Sequence, residues 1–257
     1  MRINTNVSAL TASKNMFVNQ MMTDSSARKL ASGLRISRAA DDAAGLSIAN
    51  KLRAQSRALT QSAGNVEQGS AMLGIAEGSA ATIQRILERQ KELIIQREST
   101  GNNSGVTATL NSEISSLASE VGRIISSSNF QGSSVFAQLT FYAGDGFGGN
   151  TVAVDARVTT ASVSLAASAT VTEVDSALTH INSVLANIGS GQNVLDYTVQ
   201  NVKAAIVNVK ASESTIRDVD MAEEMATFTK NNTLSQAAQA MLSQANQSAQ
   251  SVLSLLR

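Results

Sequence analysis

The residues of this chain whose types suit chemistry are few and poorly spaced for it. Ser26 and Lys29 have the S-x-x-K spacing of serine β-lactamases, but neither S-D-N nor K-T-G occurs. The single histidine, His180, has no cysteine or second histidine with which to bind zinc, and it completes no Ser-His-Asp triad. The glycine-rich segment 144–149 lacks the Lys-Ser/Thr of a phosphate-binding loop, so a hairpin turn is expected there. We expect no catalytic residue, cofactor or metal, and therefore no enzyme.

One carboxylate pair needs a separate argument. Asp41 and Asp42 are adjacent and suit a divalent cation or acid–base chemistry. Arg35 and Arg38 lie just before them, which favours an ion-pair cluster at the start of a helix.

Composition excludes several further classes of protein. The 20 basic and 20 acidic residues give a net charge of zero, without the basic footprint of a nucleic-acid binder. No run of 18 apolar residues occurs, so no membrane span is expected. The N-terminal residues lack the basic and apolar regions of a Sec signal peptide, so we expect any export to use another route. The absence of proline favours long unbroken helices.

A heptad repeat predicts one helix of about 55 residues with a coiled-coil seam. Every seventh position is apolar, without a miss, through Leu52, Leu59, Val66, Leu73, Ala80, Leu87 and Ile94. Residues 101–105, Gly-Asn-Asn-Ser-Gly, are expected to end this helix.

Later segments show the same rhythm. Alternating steps of four and three predict a helix over 110–124 and another over 195–216. A less regular apolar stretch, 174–188, precedes the latter, and Gly189-Ser190-Gly191 is expected to end it. Residues 139–143 and 151–158 predict two β-strands, with 159–172 as a further strand or a loop. The predicted fold is mainly α: a long antiparallel coiled-coil bundle from both halves of the chain, with a small β-hairpin region in the middle.

The two ends of the chain contain almost no charged residues, and in each end apolar residues recur at helical spacing. Residues 231–256 contain no charged side chain, and Lys14 is the only charge between residues 3 and 23. Helices of this kind bury little area when alone, so two interpretations stay open. The ends are disordered in the monomer, or they order only by pairing with each other and with neighbouring subunits. The rows are Ile3, Val7, Leu10, Phe17 and Met21, and Leu234, Ala238, Met241, Ala245, Val252 and Leu255.

Five ordered segments resemble the bacterial flagellin family. They are the opening RINTNVSAL, residues 30–61, SSNFQG at 127–132, residues 214–242, and the closing NQSAQSVLSLLR. The short central region resembles a form that lacks the variable outer domains.

The resemblance implies the domain plan of a filament subunit. It predicts an N-terminal helix and linker of the inner core domain (1–40), the N-terminal part of the outer-core bundle (41–129), the β-hairpin region (130–172), the C-terminal part of the bundle (173–220), and the C-terminal helix of the inner core domain (221–257).

The resemblance also implies a function and partners. The function is head-to-tail assembly into the flagellar filament of swimming bacteria, with the two terminal rows as polymerisation contacts. Arg35, Arg38, Asp41 and Asp42 would steady contacts of the segment between the inner and outer tubes. The partners are other flagellin subunits, an export chaperone on residues 225–257, and the filament cap and hook–filament junction proteins. The implied location of the protein is outside the cell, or in the periplasm of a spirochaete.

A further implied partner is the animal Toll-like receptor for flagellin. The matching positions are Arg89, Leu93 and Glu113. Two interpretations stay open: a receptor contact, or an ordinary solvated face with Leu93 packed in the bundle. For the whole protein, the alternatives to a filament subunit are a hook–filament junction protein and a secreted coiled-coil interaction module.

Overall fold

The computed structural model describes residues 6–99, 103–144 and 151–255. The elements are α1 (Val7–Ser32), α2 (Ala43–Glu98), α3 (Ser104–Ser127), β1 (Asn129–Phe130), β2 (Ser133–Ser134), β3 (Gln138–Tyr142), β4 (Thr151–Asp155), α4 (Thr160–Val163), α5 (Val171–Arg217) and α6 (Met221–Leu255). The predicted class, mainly α with a small hairpin region, is confirmed.

The chain divides into two compact units. The terminal unit comprises Met1–Ala54 and Val209–Arg257, and the central unit comprises Gln55–Asn208. The finer five-part division predicted above stays a prediction.

The core of the central unit lies along the predicted heptad row of α2. This helix has 56 residues, as the repeat predicts, and the row is buried from Leu59 to Ile94. It packs in two clusters with apolar residues of α3, α5 and the strands. Asn103 caps α3, since its side-chain oxygen accepts hydrogen bonds from the amides of Gly105 and Val106.

The predicted break at Gly189-Ser190-Gly191 is wrong, because α5 runs unbroken from Val171 to Arg217. Glycine costs a helix about 1 kcal/mol relative to alanine but does not stop it. Packing against β4 requires a glycine at position 191. A Cβ built on it would lie 2.6 Å from Cγ2 of Val154 in β4, so only glycine lets the strand approach this closely.

The central hairpin rests on the helices through such contacts. Strands β3 and β4 pair antiparallel, with Leu139 opposite Val154. The Phe141 ring covers Gly69 of α2, and the Ser62 hydroxyl donates to the Tyr142 carbonyl at 3.3 Å.

The strand bounds differ somewhat from prediction. β4 ends at Asp155, and segment 159–172 contains the short helix α4 where a strand or loop was expected. The predicted turn over 144–149 lies, apart from Gly144, outside the described residues, as do residues 101 and 102 of the predicted helix stop.

Candidate functional site

The terminal unit is built on an antiparallel pair of helices, α1 and α6. The Asn6 side-chain amide donates to the Ala245 carbonyl at 2.9 Å, and Lys29 Nζ lies 3.7 Å from Glu224 Oε2. Asn6 also caps α1, and Gly33 ends it in the left-handed conformation at φ 69°. These contacts confirm that the two ends of the chain pair.

The seam of this pair consists mostly of small and polar residues, with Met16, Phe228 and Leu242 as its large apolar members. Both helices present their less exposed side in steps of three and four. Ser26 and Asn231 are its most buried members, at 4% and 8% exposure. The seam residues are Asn6, Ala9, Ala12, Met16, Asn19, Thr23 and Ser26 of α1, and Glu224, Phe228, Asn231, Ser235, Ala238, Leu242 and Ala245 of α6.

The predicted apolar row of α1 lies elsewhere. Val7, Leu10, Phe17 and Met21 are 65%, 77%, 66% and 57% exposed, on the side of α1 roughly opposite the seam. The pairing of α1 with α6 therefore does not use this row, and its role as a polymerisation contact stays a prediction. The row and the true seam share the same spacing, and small side chains let two helices approach more closely. The signal that sequence analysis missed is the second row of Ala, Asn, Thr and Ser.

The predicted row of α6 is divided between the two sides. Leu234 and Met241 are 42% and 64% exposed, whereas Ala238 and Ala245 are half-buried at the seam. Ile3 lies outside the described residues, and so do the side chains of Val252 and Leu255. Ala238 and Met241 also line a groove of about 400 Å³ with residues of the first turns of α1, among them Val7 and Thr11.

The terminal unit has almost no apolar core of its own. Among its described residues, only Ile36 and Ala49 are buried hydrophobic side chains. The large apolar side chains of this unit are thus mostly on its surface, whereas a domain that is stable alone buries most of them in a core.

The prediction of an ion-pair cluster before α2 is wrong, because the carboxylates there accept hydrogen bonds from backbone amides. One carboxylate oxygen of Asp41 accepts hydrogen bonds from the amides of Ser37 and Arg38 at 3.1 and 2.9 Å. These amides, Arg38 first, lower the pKa of Asp41. Among the described residues, no ion pair joins Asp41 or Asp42 to Arg35 or Arg38.

The side chains of Asp42 and Arg35 also form hydrogen bonds with backbone atoms. The Asp42 carboxylate accepts from the Gly45 amide at 2.9 Å and so caps α2. The Arg35 guanidinium donates to the Ile216 carbonyl at 2.7 Å, and the Arg35 amide donates to the Arg217 carbonyl. The segment is fastened to the end of α5, within the terminal unit.

The three positions matched to receptor contacts fall into two groups in the central unit. Arg89 is exposed and lies 2.9 Å from Glu92 and 3.3 Å from Glu113, and both contacts raise its pKa. Leu93 is 1% exposed and packs in the second core cluster. Arg89 and Glu113 are accessible to a partner, and Leu93 in this conformation is not.

Over the part of the chain that is described, no helix is long and apolar enough to span a membrane. The same residues contain no group of three metal-ligating side chains.

Two family models match the chain. Residues 3–140 match the bacterial flagellin N-terminal helical region, and residues 171–256 match the bacterial flagellin C-terminal helical region. Only residues 141–170 separate the two matches.

Curated relatives match over their whole length and that of this chain. They include the flagellin of Halalkalibacterium halodurans at 38% identity, that of Bacillus subtilis at 36%, and the flagellar filament 33 kDa core protein of Treponema phagedenis at 35%. A crystal structure of Bacillus cereus flagellin is 25% identical, covers 54% of this chain and 88% of its own, and has a TM-score of 0.48.

Proposed function

The chain belongs to the bacterial flagellin family, and on this premise we propose that its exposed terminal rows bind other copies of the chain in the filament. The protein is a structural subunit of the bacterial flagellar filament, in a short form without the variable outer domains.

The observation that carries the proposal is the inversion of the terminal unit. Its paired helices meet mostly through small and polar residues, while Leu10 and Phe17 are 77% and 66% exposed. Burying one such side chain stabilises a contact by about 1.5–3 kcal/mol. Few charges interrupt the row, so covering it with another copy requires little desolvation of ions.

The geometry of the row suits indefinite growth. It lies on the side of α1 away from the seam, so a second copy can cover it with a different part of its own surface. Such heterologous contacts extend into helical filaments when the rotation does not close.

Leu10→Gln and Phe17→Gln test this proposal. Each variant should raise the critical concentration for polymerisation about ten- to a hundredfold, because each loses one large apolar contact. Sedimentation at a series of protein concentrations measures it. Gln20→Ala, at an exposed position outside the row, is the matched control and should polymerise normally. Unchanged critical concentrations in both Gln variants would refute the contact.

Removing residues 235–257 is a coarser test of the same surface. The truncated chain should form no filaments, since it lacks most of α6. Normal filaments in the electron microscope would contradict the role of the ends. A soluble oligomer of fixed size from the intact chain would instead favour a coiled-coil interaction module.

We propose export through the flagellar secretion route, to the outside of the cell or to the periplasm of a spirochaete. The export chaperone would cover residues 225–257, where Met225, Leu234 and Met241 are exposed. The filament cap and hook–filament junction proteins would meet the same terminal rows at the two ends of the filament. Deleting residues 225–257 should abolish chaperone binding in a titration, and unchanged affinity would disprove the site.

Two smaller proposals concern named side chains. Arg35, Arg38, Asp41 and Asp42 hold the segment before α2 in the shape that neighbouring subunits contact.

Arg89 and Glu113 form the accessible part of a contact with the Toll-like receptor for flagellin. A reporter-cell assay should show a weaker response to Arg89→Ala, and no response to the wild-type protein would exclude recognition.

A further inference from the structure

The methionines of this chain are concentrated in the terminal unit. Of the eight, only Met72 belongs to the central unit, where it is buried at 8% exposure. Five methionines of α1 and α6 have about half or more of their surface exposed: Met21 (57%), Met22 (51%), Met221 (49%), Met225 (49%) and Met241 (64%).

These five side chains combine accessibility with a reactive sulfur. A thioether is oxidised to a sulfoxide by mild oxidants, whereas leucine or phenylalanine in the same place is inert. Met21 belongs to the exposed row of α1, and Met241 lines the groove between α1 and α6. Oxidation would therefore strike the surface that the proposed function requires another copy to cover.

We propose that these methionines are a modification site for hydroperoxides, and that their oxidation prevents an unassembled copy from joining the filament; this inference rests on the proposed function. A sulfur lone pair attacks one peroxide oxygen, the O–O bond breaks, and an S–O bond forms. The other oxygen takes the proton of the transferred oxygen and leaves as water from hydrogen peroxide, or as an alcohol from an organic hydroperoxide. Sulfur loses two electrons and the peroxide gains them.

The consequence follows from polarity. A sulfoxide is a strong hydrogen-bond acceptor, and burying it in an apolar contact without a donor is unfavourable. In a formed filament the contact itself shields the sulfurs of Met21 and Met241. Oxidation thus acts on free copies and spares assembled ones.

Hydrogen peroxide on the whole chain tests the site. Peptide mapping by mass spectrometry should show Met21 and Met241 oxidised at least about tenfold faster than Met72 in the monomer, in line with exposure. Sedimentation should then show at least a tenfold rise in critical concentration, and the same peroxide dose after assembly should leave both residues mostly reduced. Equal oxidation of Met72 in the monomer, or of both residues in the filament, would overturn the site.

Leucine variants separate oxidation of these positions from general damage. A chain with all five exposed methionines changed to leucine should polymerise and resist peroxide, while Met72→Leu should stay sensitive. Should the fivefold variant not fold, Met21→Leu and Met241→Leu singly should each reduce the sensitivity. Sensitivity unchanged in both single variants would refute the proposal. If untreated wild-type chain does not polymerise, the proposed function fails, whereas an oxidised chain that polymerises normally refutes only this inference.

Discussion

Gly189 and Gly191 stand two residues apart in α5, yet they have different surroundings. A Cβ on Gly191 would lie within 2.7 Å of both methyl groups of Val154, while a Cβ on Gly189 would meet nothing within 4 Å. In the sequence the pair indicates a helix end, because glycine is the usual residue there. Sequence analysis missed the continuity because the contact that makes Gly191 necessary comes from a strand far away along the chain.

Alanine at each position should therefore have opposite effects. Gly191→Ala should lower the free energy of unfolding by about 1–3 kcal/mol, since the strand must move away. Gly189→Ala should raise it by about 0.5–1 kcal/mol through better helix propensity. Denaturant titration of both variants measures this, and an equal gain in stability in both would contradict the packing of β4 on α5.

At the scale of elements, the sequence predicts α2 well and α1 only in part. In α2 the heptad row marks one side of the helix as the apolar side, and that side is buried. Helix α1 has two rows of equal spacing, and the more apolar one, with Leu10 and Phe17, faces away from α6. Periodicity predicts that a helix exists, but the inward side depends on what it packs against, and for α1 small residues allow the closer approach.

The α2–α3 contact contains one polar side chain in an apolar setting. Gln90 has no exposed surface, its Nε2 donates to the Ile114 carbonyl at 3.1 Å, and among the described residues its Oε1 has no partner. A buried amide oxygen without a donor is destabilising. Such a residue can nonetheless fix the register of two helices.

Gln90→Leu should raise the free energy of unfolding by about 1–2 kcal/mol, because an apolar side chain of similar size replaces an unsatisfied group. Gln84→Leu is the matched control: Gln84 bonds the exposed Glu88 on the same helix, and its change should have little effect. Thermal or denaturant unfolding compares them. A loss of stability in Gln90→Leu would show that the hydrogen bond to Ile114 outweighs the unpaired oxygen.

At the scale of the whole molecule, the two units differ in how far one chain can stabilise them. The central unit has two apolar clusters, whereas the described part of the terminal unit buries only Ile36 and Ala49 among its hydrophobic residues. The nearly charge-free ends indicate this difference in the sequence. Which side of each end is left open depends on contacts that the sequence does not specify.

Hydrogen exchange of the monomer should show the difference directly. Backbone amides of α1 and α6 should exchange about 100-fold or more faster than those of α2 between Leu59 and Ile94, because they open without disrupting an apolar core. Equal protection in the two units would contradict the weak packing of the terminal pair.

The most direct test of the central claim, that other copies cover the exposed row, is the reactivity of a thiol at position 17. The chain has no cysteine, so Phe17→Cys introduces a unique probe at a site that is 66% exposed. The variant is labelled as free monomer and again after copolymerisation with excess wild-type chain. The labelling rate should fall at least about tenfold in the filament and recover on disassembly, because the core of such a contact excludes water. An unchanged rate in the filament would show that no neighbouring copy covers the row.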